Sequence, residues 1–144
     1  MAQTTGAMSW VDSTISISTN GSTWVDISGQ QNKVTLSGGE RITGGAYTAD
    51  GDTVILTRGK RSVLTVTVSV VYTEATNSAY STFQTAYESD TGAIYFRWLT
   101  KTGGLTFTTS AGVPKTPPYP TGDSASGDPL MVDLTIECAS ITET

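Results

Sequence analysis

The sequence predicts a mostly β fold with a single helix laid against a sheet. Three observations lead there. Of 144 residues, 27 are Thr and 16 are Ser, so about 30% of the chain is neutral and hydroxyl-bearing, tilted toward the β-branched residue that favours strands. Several segments alternate apolar and polar side chains with period two. One stretch alone, around Ala79 to Tyr87, repeats its apolar residues at spacings of three and four. A chain of this length makes one domain with one core, here 1–144, with long loops expected at 37–52 and 110–129.

Ser13 to Thr19 and Thr23 to Ser28 alternate around Asn20-Gly21, the pair that best accepts a tight hairpin turn. Ser37 to Asp52 carries Gly38-Gly39, Gly44-Gly45 and Asp50-Gly51 among few apolar residues, which predicts a long loop or loose hairpin. Thr53 to Thr57 reads as a short strand and Gly59-Lys60 as a turn. Arg61 to Thr73 then alternates through Leu64, Val66, Val68, Val70 and Tyr72; thirteen residues is about twice a typical strand, so part of it is expected to meet another chain.

Ala79, Tyr80, Phe83, Ala86 and Tyr87 form the stripe of one amphipathic helix, capped by Asn77 or Ser78, with the aromatics as core. Ala93 to Lys101 and Leu105 to Thr109 read as a hairpin across Gly103-Gly104. Both of its faces are partly apolar, so core on one side and the helix or a neighbouring subunit on the other should cover it. All five prolines fall between Pro114 and Pro129, marking a second long loop from Ser110. Leu130 to Thr142 closes the chain as one long strand, with Cys138 on its apolar face as a small buried hydrophobe.

Residue chemistry narrows the function. The chain has no His, which removes imidazole bases and ligands, and its one Cys precludes an internal disulfide framework. Gly59-Lys60 lacks the rest of a phosphate loop, with Val54 where the first glycine belongs. Asp50-Gly51-Asp52 and Asp123 to Asp128 lack full calcium-loop spacing and read as solvated turns, so no metal or cofactor is expected. Asn20-Gly21-Ser22 spells a glycosylation acceptor, but turn chemistry explains it. Pro117-Pro118-Tyr119-Pro120 reads as a stiff stretch of loop. Met1 to Val11 has no basic start or long apolar run, so synthesis and folding in a cytoplasm are expected, with no membrane partner.

The net charge of −5 is unevenly placed. Residues 1–115 balance eight bases against eight acids, while 116–144 hold Asp123, Asp128, Asp133, Glu137 and Glu143 with no base. Gripping nucleic acid requires clustered Lys and Arg against phosphates, so specific DNA binding is not expected.

The order of several short motifs resembles the major tail tube proteins of long-tailed, non-contractile bacteriophages. These are Gly21-Ser22-Thr23-Trp24-Val25-Asp26-Ile27-Ser28-Gly29, Arg41, Gly44-Gly45, Asp50-Gly51-Asp52, Gly59-Lys60-Arg61, Val70-Val71-Tyr72-Thr73-Glu74 and Ser126-Gly127-Asp128-Pro129, arranged around one central helix. The resemblance implies a two-sheet antiparallel β-sandwich or barrel flanked by that helix, and a non-enzymatic structural protein of the virion tail. Six copies would close into a ring, and rings would stack into a tube around a tape-measure protein. Terminator and tail-tip proteins would cap the tube, and DNA would pass through it without specific binding.

Within that frame, the polar faces of the two long strands are the candidates for the channel lining: Thr65, Thr67, Ser69, Asp133, Thr135 and Glu137. Hydroxyls and carboxylates there would repel a passing polyphosphate. The long loops are the candidates for contact between subunits or rings, through Arg41, Gly44, Gly45, Tyr47, Asp50, Pro117, Tyr119 and Asp123. The competing reading is a monomeric binding or decoration module, an immunoglobulin-like or carbohydrate-binding sandwich with Trp10, Trp24, Trp98 or Tyr119 as a stacking platform. A paired-carboxylate glycosidase is a weaker alternative.

Overall fold

The computed structural model describes residues 2–144. After a single 3-10 turn at Trp10–Asp12 come β1 (Thr14–Ser18), β2 (Val25–Asp26), β3 (Gln31–Gly38), β4 (Arg41–Ala46), β5 (Ile55–Arg61) and β6 (Leu64–Val71). The helix α1 (Ala79–Glu88) follows, then β7 (Tyr95–Leu99), β8 (Thr106–Thr109), β9 (Val113–Pro114), β10 (Met131–Cys138) and β11 (Ile141–Glu143). They form a five-stranded sheet ordered β11-β8-β7-β1-β2, a four-stranded sheet ordered β3-β6-β10-β9, and a separate ribbon of β4 and β5. The strands pair antiparallel throughout.

Period-two alternation builds the core. Ile15 and Ile17 of β1 and Phe96 and Trp98 of β7 point inward from one sheet; Val66, Val68 and Val70 of β6 meet Val132, Leu134 and Ile136 of β10 in the other. Burying each such side chain contributes about 1.5–3 kcal/mol, so these four strands hold the sandwich together. Ala79, Phe83 and Ala86 complete the same cluster from α1, which lies along β9 and β10. Ser78 caps the helix, its hydroxyl accepting from the Ser81 amide at 3.2 Å, and Gln30 Oε1 accepts from the Ala79 amide at 3.0 Å. Two of the free amides at that helix end are thereby satisfied.

Several expectations need correction. The first hairpin forms, with Ile17 opposite Val25, but Asn20-Gly21 is not a two-residue turn. The connection is longer: the Ser18 hydroxyl accepts from the Asn20 and Gly21 amides, and Asn20 Oδ1 accepts from the Ser22 and Thr23 amides. These side-chain bonds let the loop arch over β7, where Arg97 stacks on the Trp24 ring at 4.5 Å. Part of the second face of β7 is therefore covered by this loop and not by the helix, with Trp24 against Arg97 and Gly21 beside the Tyr95 ring.

The strand expected over Arg61 to Thr73 is only eight residues, Leu64–Val71, and sits between β3 and β10 with both edges paired inside its own chain. Its missing neighbour is β3, a strand the sequence pattern did not reveal. β3 is largely polar, and a register shift between Gln31 and Lys33 interrupts its alternation. Gly59-Lys60 is no turn but lies within β5, and Thr53 and Val54 precede that strand. The expected loop of 37–52 is the end of β3, β4 and the tip of a hairpin.

The expected single strand from Leu130 to Thr142 is two. β10 ends at Cys138, and β11 crosses to the other sheet to pair with β8. Ser110 holds that corner: its hydroxyl accepts from the Ala139 and Ser140 amides at 3.1 and 3.2 Å. The Pro-rich stretch from Ser110 also contains β9, which pairs Pro114 with Ile136 and Val113 with Glu137. Cys138 is buried, and burial pushes its thiol pKa up.

Candidate assembly interface

Thr65, Thr67 and Ser69 of β6 point away from the core, directly opposite Glu137, Thr135 and Asp133 of β10. The six residues singled out as polar faces thus form one continuous surface. It is tied across the strands: the Thr67 and Thr135 hydroxyls are 3.1 Å apart, and the Ser69 hydroxyl donates to Asp133 Oδ1 at 2.6 Å. β3 extends the surface with Ser37, Thr35 and Lys33, in register with Thr65, Thr67 and Ser69. On the other side, Lys115 just after β9 reaches Glu137 at 2.7 Å.

Those two lysines change the electrostatic reading. Asp133 and Glu137 share the face with Lys33 and Lys115, so its formal charge is balanced, not anionic. β3 and Lys115 were missed for one reason: both lie in segments whose sequences read as polar connections.

The residues singled out in the loops fall into two separate groups. Arg41, Gly44 and Gly45 lie on β4, and Tyr47 and Asp50 lie in the segment joining β4 to β5. Every strand residue of this ribbon is exposed except half-buried Gly59. The ribbon leaves the sandwich where β3 passes into β4. There Gly38 and Gly39 take φ of +73° and +72°, and a Cβ at Gly38 would strike the Val63 carbonyl oxygen. At its root the Gly39 amide donates to Val63 O at 3.0 Å and the Ser62 amide to Glu40 O at 2.8 Å.

Pro117, Tyr119 and Asp123 belong to the segment between β9 and β10. Pro117, Tyr119 and Asp123 are exposed, while Pro118 between them is fully buried and anchors the segment. The segment folds on itself, with the Ser126 amide donating to Asp123 O at 3.1 Å and Gly122 set close against Leu130. Leu130 in turn meets the far end of β6, its carbonyl accepting from the Tyr72 amide at 2.8 Å. The ribbon springs from the Leu64 end of β6 and this segment sits at the Val71 end, so the structure does not bring the two groups together. Among the described residues, no group of three or more acidic or thiol side chains is arranged to hold a metal ion. Nor, among the described residues, is any helix long and apolar enough to cross a membrane.

The fold as a whole recurs in solved structures of tail-like assemblies. No family model and no curated protein matches the sequence. Solved structures do match over essentially the whole chain. One is from the sheath-tube complex of an extracellular contractile injection system, PVC, in its extended state; TM-score 0.64, 14% identity, 97% of this chain and 93% of that one. A second is from the anti-feeding prophage baseplate; TM-score 0.65, 10% identity, covering 100% and 97%. A third is from the tail of an empty GTA particle with C6 symmetry; TM-score 0.64, 14% identity, covering 96% and 99%. The chain has a tail-tube-like fold, shared with contractile systems and therefore not peculiar to non-contractile phages.

Proposed function

We propose that this chain is a structural, non-enzymatic subunit of a phage tail tube. Copies of it close into rings, hexameric by analogy with the C6 tail, and the rings stack into a hollow tube. The observation that carries the reading is end-to-end structural agreement with components of three tail-like assemblies, with nearly all of each matched chain covered. Supporting it, the β4–β5 ribbon exposes Ile42, Ile55 and Leu56, apolar surface that a solitary subunit leaves in water.

In this reading the face bearing Thr65, Thr67, Ser69, Asp133, Thr135 and Glu137 lines the channel. A hydroxyl-rich surface with its charges balanced offers no cationic cluster, so DNA can pass without being held. The β4–β5 ribbon and the segment from Pro117 to Asp123 make contacts between copies. A tape-measure protein occupies the lumen during assembly, terminator and tip proteins close the ends, and the tail is of the long, non-contractile kind.

Negative-stain microscopy and light scattering of the concentrated protein test this. Rings or hollow tubes are expected. A strict monomer at millimolar concentration overturns the reading, and a reconstruction placing Asp133 and Glu137 on the outside of the tube overturns the channel assignment.

A further inference from the structure

The β4–β5 ribbon is more than an apolar projection. Its strands carry Arg41, Arg58, Lys60 and Arg61, half of the eight bases in the chain, and no acid. Among the described residues the one ion pair is Lys115 with Glu137, so these four cations have no carboxylate partner in their own chain. Arg41 donates only to the Gly59 carbonyl, at 3.1 Å. Beside the cations, Ile42, Ile55 and Leu56 are 53–70% exposed. A two-stranded hairpin standing alone is marginal in water, and a ribbon of this composition fits a surface that is acidic and apolar at once.

The same chain displays such a surface. Between Thr116 and Leu130 it carries Asp123 and Asp128, no base, and the exposed Tyr119 and Leu130. The buried Pro118 and the bonds around Asp123 preorganise that segment, which lowers the cost of docking. The ribbon springs from one end of β6 and the segment closes at the other, about 23 Å away along the strand at ~3.3 Å per residue, and among the described residues no hydrogen bond or ion pair joins the two within one copy. Complementary patches at opposite poles define a head-to-tail contact, which repeats without exhausting itself.

We infer that the β4–β5 ribbon of one copy docks on the 116–130 segment of the next, Arg58 and Lys60 facing Asp123 and Asp128. The occupant is a second copy of this chain. A nucleic acid would satisfy the cations but leave Ile42, Ile55 and Leu56 in water. An anionic membrane would meet Asp50 and Asp52 at the ribbon's tip. The inference rests on the tube-subunit reading and names the partner surface for its projecting ribbon.

Charge reversal tests it. Arg58→Glu with Lys60→Glu, or Asp123→Lys with Asp128→Lys, should each raise the concentration needed for polymerisation at least about tenfold, and all four together should restore it. Loss in each pair with rescue in the quadruple variant supports the contact. Undiminished assembly in either pair, or no rescue, overturns it. So does DNA or anionic-vesicle binding that Arg58→Glu with Lys60→Glu abolishes while assembly persists.

A wild-type protein that never polymerises defeats the tube reading and this contact together, whereas an assembling wild type with indifferent variants defeats the contact alone. Independently of variant folding, a tagged Leu56→Cys copy mixed with a Leu130→Cys copy should give a mixed disulfide dimer on oxidation, Cys138 being buried. Polymers that yield no mixed dimer overturn the docking.

Discussion

Ser69 and Asp133 stand opposite each other on β6 and β10, and the serine hydroxyl donates to the carboxylate at 2.6 Å. Two residues along, the Thr67 and Thr135 hydroxyls share a hydrogen bond at 3.1 Å. The polar face of the four-stranded sheet is therefore cross-linked by its own side chains, and it is a firm surface, not a loose array of hydroxyls.

Asp133→Ala should lower stability by about 0.2–1 kcal/mol, the usual worth of a cross-strand pair. Phe83→Ala, which empties the centre of the core where the helix meets the sheets, should cost about 3–5 kcal/mol. Urea unfolding of the two variants measures the difference; equal losses would mean that the polar face carries far more of the stability than its exposure suggests.

The ribbon is an insertion in a hairpin. β3 and β6 pair directly as far as Gly38 and Leu64, and the ribbon leaves and returns between those residues. Removing residues 41–61 and joining Glu40 to Ser62 should leave a folded chain, since shortening a loop changes closure entropy only slightly. The excised protein is expected to keep its circular dichroism spectrum and to stay monomeric under conditions where the parent polymerises. Normal tubes from it would remove the ribbon from any assembly role.

Asp26 should mark the acid limb of the stability profile. The Ser28 hydroxyl and then the Ser28 amide donate to its carboxylate, at 2.5 and 2.8 Å, and lower its pKa against a small opposing effect of burial. A lowered folded-state pKa stabilises the protein above the ordinary carboxylate range, and that contribution is lost as pH falls through the lowered value. Asp26→Asn should thus be less stable than the parent at neutral pH and converge with it in strong acid, as read by thermal melts across pH.

Cys138 should resist alkylation. Burial raises its thiol pKa, so the reactive thiolate is scarce, and access is closed as well. Iodoacetamide at mildly alkaline pH is expected to label it only after unfolding. Because the folded state holds this proton more tightly than the unfolded chain, stability should fall as pH rises from the ordinary thiol range through the raised value.

Local pattern determined much of this protein. The alternations in β1, β6, β7 and β10, the three-and-four stripe of α1 and its Ser78 cap are properties of neighbouring residues, and they specify which side chains are buried wherever the strands finally pair. The six polar residues of β6 and β10 share a face for the same reason. Tertiary structure alone decided where strands end and which sheet each joins. Ser110 turns the chain between β10 and β11 through bonds to residues about thirty positions away, and β3 exists because β6 offers an unpaired edge, although its own residues barely alternate. The Gly38-Gly39 kink likewise gains its meaning from Val63 and Leu64, which approach it only in the fold. Long-range hydrogen bonds and register leave little trace in the order of adjacent residues, so the ribbon, and its place at the end of β6 opposite the acidic 116–130 segment, became visible only once the chain was folded.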